Sequence, residues 1–474
     1  MVMAGQSGQR FELGVRSEWG KVPPCFRFDP KGEPRLRTDR GAISESEATR
    51  AGPPPDKQGK RLAAGGRWLS ALRHRNYRLF FGAQLLSLPG TWMQLVAEGW
   101  LVYQLTGSAL ALGMIRFLHT IPVTLLSFYA GGFADRYDKR KLLVMTQAVS
   151  MGIAFILFGL TASDHVEIWH VGVLAVAMGL VNAFDIPTRQ SFIVELVGKR
   201  DLMNAIALNS SVFNTSRILG PGLAGLIIAS FGVSYCFLLN AISFMFVIVG
   251  YLALRLPSRD LSQNPVGKPM GMGETLQFVA SKSSLRTLVG MVAITSLFGM
   301  SYTTLMPIFA EAIWQVGPRG LGALLSANGV GALLGSVTLA AFSHTGKGPW
   351  LVRIGSTGFA LSMIAFSLCP RFAMAWVALL VAGWFMVLFF ATTNTLVQSQ
   401  APDEFRGRIM GLYTVCFIGL VPFGAFLAGA VAKAGGAPLT VALGASLCLV
   451  ASGVLWRGEL ILSEAGARSG SCGK

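Results

Sequence analysis

The chain has 474 residues, of which 52% are hydrophobic and only 13% charged, with a formal net charge of +17. Soluble proteins carry about 25% charged residues, so the deficit excludes an ordinary water-soluble domain and points to lipid. The basic excess lies in short loops and the N-terminal stretch, which argues against nucleic-acid binding and reads as membrane topology.

Residues 1–70 are rich in Pro, Gly and charge and are expected to form a disordered basic cytoplasmic tail. Trp68 to Arg78 reads as a basic lead-in at the inner headgroups. From there the chain resolves into apolar runs of roughly twenty residues or more, enough to cross the hydrocarbon core as helices. The first six spans are predicted at 79–104, 108–133, 141–162, 168–190, 204–230 and 233–256. The second six are predicted at 286–311, 320–342, 350–369, 372–400, 409–433 and 437–457. A polar linker, 257–285, separates the sets and carries a short surface helix from Glu274 to Ser281; residues 458–474 form a second tail. The expected fold is thus an all-α integral membrane protein of twelve spans in two six-helix bundles, 71–256 and 286–457.

Even-numbered loops and their edges are basic, with Arg136, Lys139, Arg140, Lys199, Arg200, Arg255, Lys268, Lys282, Lys347, Arg406 and Arg408 among them. Odd-numbered loops hold Arg319, Arg371 and Lys433. This bias places both termini in the cytoplasm. The halves repeat at an offset of about 204 residues: Leu223-Ala224-Gly225 matches Leu427-Ala428-Gly429, and Gly131 matches Gly335.

The loop Gly131-Gly132-Phe133-Ala134-Asp135-Arg136-Tyr137-Asp138-Lys139-Arg140-Lys141-Leu142-Leu143 is densely charged between two apolar runs. It resembles the loop signature of the major facilitator superfamily at Gly131, Asp135, Arg136, Lys139, Arg140 and Leu143, and departs from it at Phe133 and Asp138. Further on, Asp185-Ile186-Pro187-Thr188-Arg189-Gln190, Asn204 to Ser210 and Asn214 to Pro221 stand together, with Trp100 to Ser108 before them. This set resembles the enterobactin-exporter-like branch, the transmembrane secretion effectors. The resemblance implies proton-coupled export of a small molecule across the bacterial cytoplasmic (inner) membrane, with no cofactor beyond the proton gradient and a monomeric protein among membrane lipids. It also implies that Asp135 meets the start of the eleventh helix when the cytoplasmic side closes, where a carboxylate satisfies free N–H groups. Arg136 and Arg140 would then pair with acidic groups such as Asp138 or with lipid phosphates. Gly220 and Pro221 resemble an antiporter motif of the fifth helix; ordinary small-residue packing explains them equally well.

A charge inside a span costs about 2.5–3.5 kcal/mol and needs a partner or a function. Glu98 lies about 9 Å and Arg116 about 12 Å inside the outer ends of their spans, while Arg217 lies about 20 Å from the inner end of its own. These depths permit contact. Glu98 is therefore a candidate proton carrier, with Arg116 or Arg217 as alternating partner; a fixed ion pair is the competing reading. His119 is of a type that titrates near neutrality, though a packed, satisfied histidine facing a neighbouring helix is the preferred reading. Asp185 is a further candidate for proton coupling, and Arg189, four residues on, is placed to gate with it. Pro187 between them weakens that pairing. Polar groups of the second half, Asn328, Asn394 and Gln398, are assigned to a substrate cavity walled by aromatics such as Trp384 and Phe389.

The six cysteines show no metal-ligand spacing, and no nucleophile elbow or phosphate loop is present, so an enzyme is not expected. Export remains beside two alternatives: an importer or lipid flippase on the same fold, and a non-transporting membrane sensor.

Overall fold

The computed structural model describes residues 69–134, 137–255, 272–342, 347–402 and 405–457. The proposed tails, most of the linker, and Asp135 and Arg136 lie outside the described residues. Every predicted span is present as a helix. In the first half these are α1 Arg75–Thr106, α2 Ala109–Ala134, α3 Lys139–Ala162, α4 Ile168–Gly198, α5 Arg200–Phe231 and α6 Val233–Leu252. The second half has α7 Ser283–Ile313, α8 Gly317–Phe342, α9 Gly348–Leu368, α10 Phe372–Gln400, α11 Arg406–Gly435 and α12 Ala437–Arg457. A short helix, Met272–Ser281, precedes α7.

Eleven of these helices are long and apolar enough to cross a membrane by length and composition. The twelfth, α1, is 32 residues long and has a reason for its polarity. Gln84, Ser87, Thr91, Gln94 and Glu98 recur every three or four residues and line a single internal cavity. They share one helix face, turned away from lipid.

The repeat is visible in backbone conformation. Gly232 (φ 97, ψ 165) and Gly436 (φ 82, ψ 160) both have positive φ and precede α6 and α12, at the same offset of 204. Glycine alone adopts that conformation without strain.

The helices α4 and α5 run into each other, with the break at Gly198 (φ 68, ψ 177). A Cβ there would meet nothing within 4 Å, so the requirement for glycine is purely conformational. The Gly198→Ala variant is expected to lose about 1–3 kcal/mol of stability with no change in cargo affinity. A detergent melting curve equal to wild type would refute this.

The lead-in docks on the start of α5. Ala71 N donates to Asn204 Oδ1 at 2.9 Å, Tyr77 Oη donates to the Ala205 carbonyl at 2.9 Å, and His74 Nε2 lies 2.9 Å from Asp201 Oδ2. In the basic loop, Asp138 caps α3 by accepting from Lys141 N at 3.1 Å, and Lys139 pairs with Glu195 on α4 at 3.0 Å. The pairing of Arg140 with Asp138 or lipid phosphate is implied for the state closed on the cytoplasmic side; here its Nη2 donates to the Leu252 carbonyl at the end of α6. The reason is supply: the last carbonyls of a helix lack intrahelical donors, and Asp138 is already engaged as a cap.

Two helix pairs make the main contacts between the halves among the described residues. On α5 and α8, a Cβ on Gly225 would stand 2.6 Å from the Pro318 carbonyl oxygen and 3.1 Å from Gly322 Cα. On α2 and α11, a Cβ on Gly113 would stand 2.5 Å from the Ala425 carbonyl oxygen and 3.1 Å from Gly429 Cα. Both crossings lie near the odd-loop face. Further contacts, Ile218 with Gly329 and Thr124 with Gly419, reach the middle of the helices. The halves are therefore closed on the odd-loop face.

Candidate functional site

Two connected chambers lie inside the bundle. The upper, of about 230 Å³, is formed between the halves by Glu98, Arg116, His119 and Arg217 on one side and Tyr302 and Asn328 on the other. The lower, of about 500 Å³, runs toward the basic face past Gln94, Gln147, Asp185, Arg189 and Asn240, with Ile418 of α11 opposite. Glu98, Arg116 and His119 line both chambers and so form the neck between them.

Glu98 is 7% exposed. Among the described residues, the ionisable side chain within salt-bridge reach is His119, whose Nδ1 lies 3.7 Å from Glu98 Oε2. That nitrogen is buried and makes no hydrogen bond, while Nε2 faces Asn182 Nδ2 at 3.5 Å. The expectation of a satisfied packing histidine is thus corrected: one turn of α2 beyond Arg116 brings the ring to the carboxylate. Neither Arg116 nor Arg217 forms a salt bridge with Glu98 among the described residues. All three nevertheless face the upper chamber.

Arg217 follows from α5's own sequence. Pro221 has no N–H for the carbonyl four residues earlier, which belongs to Arg217. Gly220 packs against α1, where a Cβ would lie 2.4 Å from Trp92 Cβ. Ser326 Oγ of α8 donates to the Ile218 carbonyl at 2.7 Å. The loosened turn is thereby held between α1 and α8, with the guanidinium facing the chamber. Arg217 Nε and Nη2 are buried and have no protein acceptor, and Tyr302 Oη is in the same condition.

In the lower chamber Asp185 is 2% exposed and fully engaged. It accepts from Thr146 Oγ1 at 2.8 Å and Gln147 Nε2 at 2.9 Å, and pairs with Arg189 Nη2 at 2.6 Å. Arg189 Nη1 donates to Gln84 Oε1 at 3.1 Å, and Gln84 Nε2 to Tyr251 Oη at 3.0 Å. The network ties α1, α3, α4 and α6 together. Pro187 does not prevent the Asp185–Arg189 pair, because the helix stays continuous across it despite the hydrogen bond lost at the Ala183 carbonyl. A second polar seam joins α1 to α6 through Gln94 Oε1 and Asn240 Nδ2 at 2.6 Å.

Of the three polar residues assigned to the cavity from the second half, Asn328 lines the upper chamber. Asn394 and Gln398 bond to each other at 2.9 Å and line neither chamber. Gly131 lies within α2 near its basic-face end, and Glu311 is exposed near the odd-loop end of α7. Tyr302, Gln84, Gln147 and Asn240 are site residues that the sequence reading passed over. For Gln84 the signal was the polar stripe on α1.

Residues 67–470 match the family described as transmembrane secretion effector. Among curated relatives, the chain is 30% identical over 397 residues to the multidrug efflux pump Tap of Mycolicibacterium fortuitum, covering 80% of this chain and 94% of that protein. It is 25% identical over 357 residues to the staphyloferrin A transporter of Staphylococcus aureus, covering 74% and 88%. The fold is similar to that of a bacterial homologue of the human lysosomal transporter Spinster solved inward-facing and unoccupied. That match has a TM-score of 0.63 at 13% identity and covers 82% of this chain and 97% of that one.

Proposed function

The chain belongs to the transmembrane secretion effector family of the major facilitator superfamily, and from that premise we propose that this inner-membrane transporter exports an amphipathic small molecule in exchange for protons. The observation that carries the reading is the neck: a buried carboxylate between two chambers, in a protein closed on one face. With both termini in the cytoplasm, as the basic loops favour, the closed odd-loop face is periplasmic. The described state then receives cargo from the cytoplasm, and rocking of the halves exposes the upper chamber to the other side.

In that second state Glu98 takes a proton from the periplasm, which His119 and Arg116 are placed to influence. On return the proton leaves toward the cytoplasm through the lower chamber. Asp185 and Arg189 hold the four helices of that exit in register. Gly220 and Pro221 set the bend of α5 that carries Arg217, while Gly131, Asp135, Arg136 and Arg140 belong to the loop that latches the cytoplasmic side when it closes.

The test is extrusion of a panel of fluorescent dyes from proteoliposomes under an imposed pH gradient. The Glu98→Gln variant is expected to cut gradient-driven extrusion at least tenfold and to remove its pH dependence. Wild-type extrusion with the same pH dependence in that variant would exclude Glu98 as the carrier.

A further inference from the structure

We infer that the cargo is an anion and that Arg217 is the group that holds it; the inference rests on the exporter reading and adds the chemistry of what is exported. The upper chamber carries two guanidinium groups, Arg116 and Arg217, against one carboxylate, Glu98. A cation left without an acceptor in an apolar enclosure is costly, so the arrangement persists where something else supplies the acceptor.

Geometry locates the shortfall. Arg217 Nε and Nη2 are buried without a protein acceptor, and no salt bridge reaches Arg217 among the described residues. Tyr302 Oη, on the facing helix α7, is a second buried donor in the same chamber with no acceptor for its O–H, and Asn328 is the side chain beside it. Asn328 Nδ2 is engaged with the Leu379 carbonyl at 3.4 Å. Tyr302 is also the residue 204 positions after Glu98, so the repeat sets a phenol opposite the acid. The chamber is thereby divided: the proton group lies on the first half, and an acceptor-seeking pair, Arg217 and Tyr302, spans the two halves.

A planar guanidinium edge matches two oxygens of a carboxylate, and a phenolic O–H adds a third donor. Beside the polar His119, Thr303, Thr304 and Asn328, much of the remaining wall is apolar, with Val96, Leu321, Leu325 and Met386. The cargo is thus a molecule with an acidic oxygen group at Arg217 and an apolar body against these side chains. A permanently cationic compound would meet two arginines there.

The experiment is equilibrium binding by isothermal titration to the full chain in nanodiscs, with 2-naphthoate and 2-naphthamide as probes. They share a ring system and differ in charge. Wild type is expected to bind naphthoate at least tenfold more tightly than naphthamide. In Arg217→Gln that preference falls to within about twofold, with naphthamide affinity unchanged. Arg217→Lys, which keeps the charge and loses the planar fork, falls between the two and serves if the Gln variant does not fold. Equal affinities in wild type, no binding of either probe, or an undiminished preference in both variants would overturn the assignment. Because the measurement uses no gradient, loss of dye extrusion with the preference intact would count against the exporter reading alone.

Discussion

The Gly225→Leu variant is expected to lose closure of the odd-loop face and to transport at least tenfold more slowly. A Cβ at position 225 already falls 2.6 Å from the Pro318 carbonyl oxygen, a backbone atom that cannot rotate away, and 3.1 Å from Gly322 Cα. Overpacking of this kind costs about 1–3 kcal/mol. The cost applies only to the state in which α5 and α8 touch, so the population moves about fivefold to 150-fold toward the state open on that face. Distances between spin labels at the odd-loop ends of α5 and α8 would lengthen, and no substrate is needed for the measurement. Gly113→Leu is expected to act alike, since Gly113 meets Gly429 in the corresponding α2–α11 crossing. Gly453→Leu, where a Cβ meets nothing within 4 Å, is the control. Unchanged distances in Gly225→Leu with normal folding would show that the crossing does not support the closed face.

The same two crossings show why the fold was legible in the sequence and the site was less so. Spans, their number and their repeat follow from composition and from small residues such as Gly225 and Gly429, which carry the signal in the chain itself. Glu98 stood out because it is a lone acid in an apolar run. Its neighbour was harder to identify: Arg116 and His119 are three residues apart on α2, and only the rotation of that helix decides which of them reaches the carboxylate. Tyr302 looks like packing in any apolar span until a chamber is found beside its hydroxyl. Asn394 and Gln398 bond to each other and line neither chamber, as a polar pair four residues apart on one helix can do. The stripe from Gln84 to Glu98 was fully written in the sequence. Weighing each position singly for charge hid its spacing.

That stripe meets Arg189 at Gln84, and the second large effect is expected there. The Asp185→Ala variant removes the carboxylate from a pair made at 2.6 Å and leaves Arg189 facing Gln84 alone. Breaking one side of a buried pair costs about 3–5 kcal/mol. The Arg189 side chain keeps 23% exposure and can turn toward the lower chamber, which favours the low end of that range. The double variant Asp185→Leu/Arg189→Leu removes both charges and restores apolar volume, so it is expected to recover most of the loss, as paired replacements commonly do. Detergent melting curves of the two variants separate the outcomes. If the double variant is no more stable than Asp185→Ala, the hydrogen bonds from Thr146 and Gln147 contribute more than the ion pair does. If both melt like wild type, the network does not hold α1, α3, α4 and α6 in register. A stable double variant that no longer extrudes dye would place the pair's contribution in the transport cycle, where the lower chamber must open and close around it.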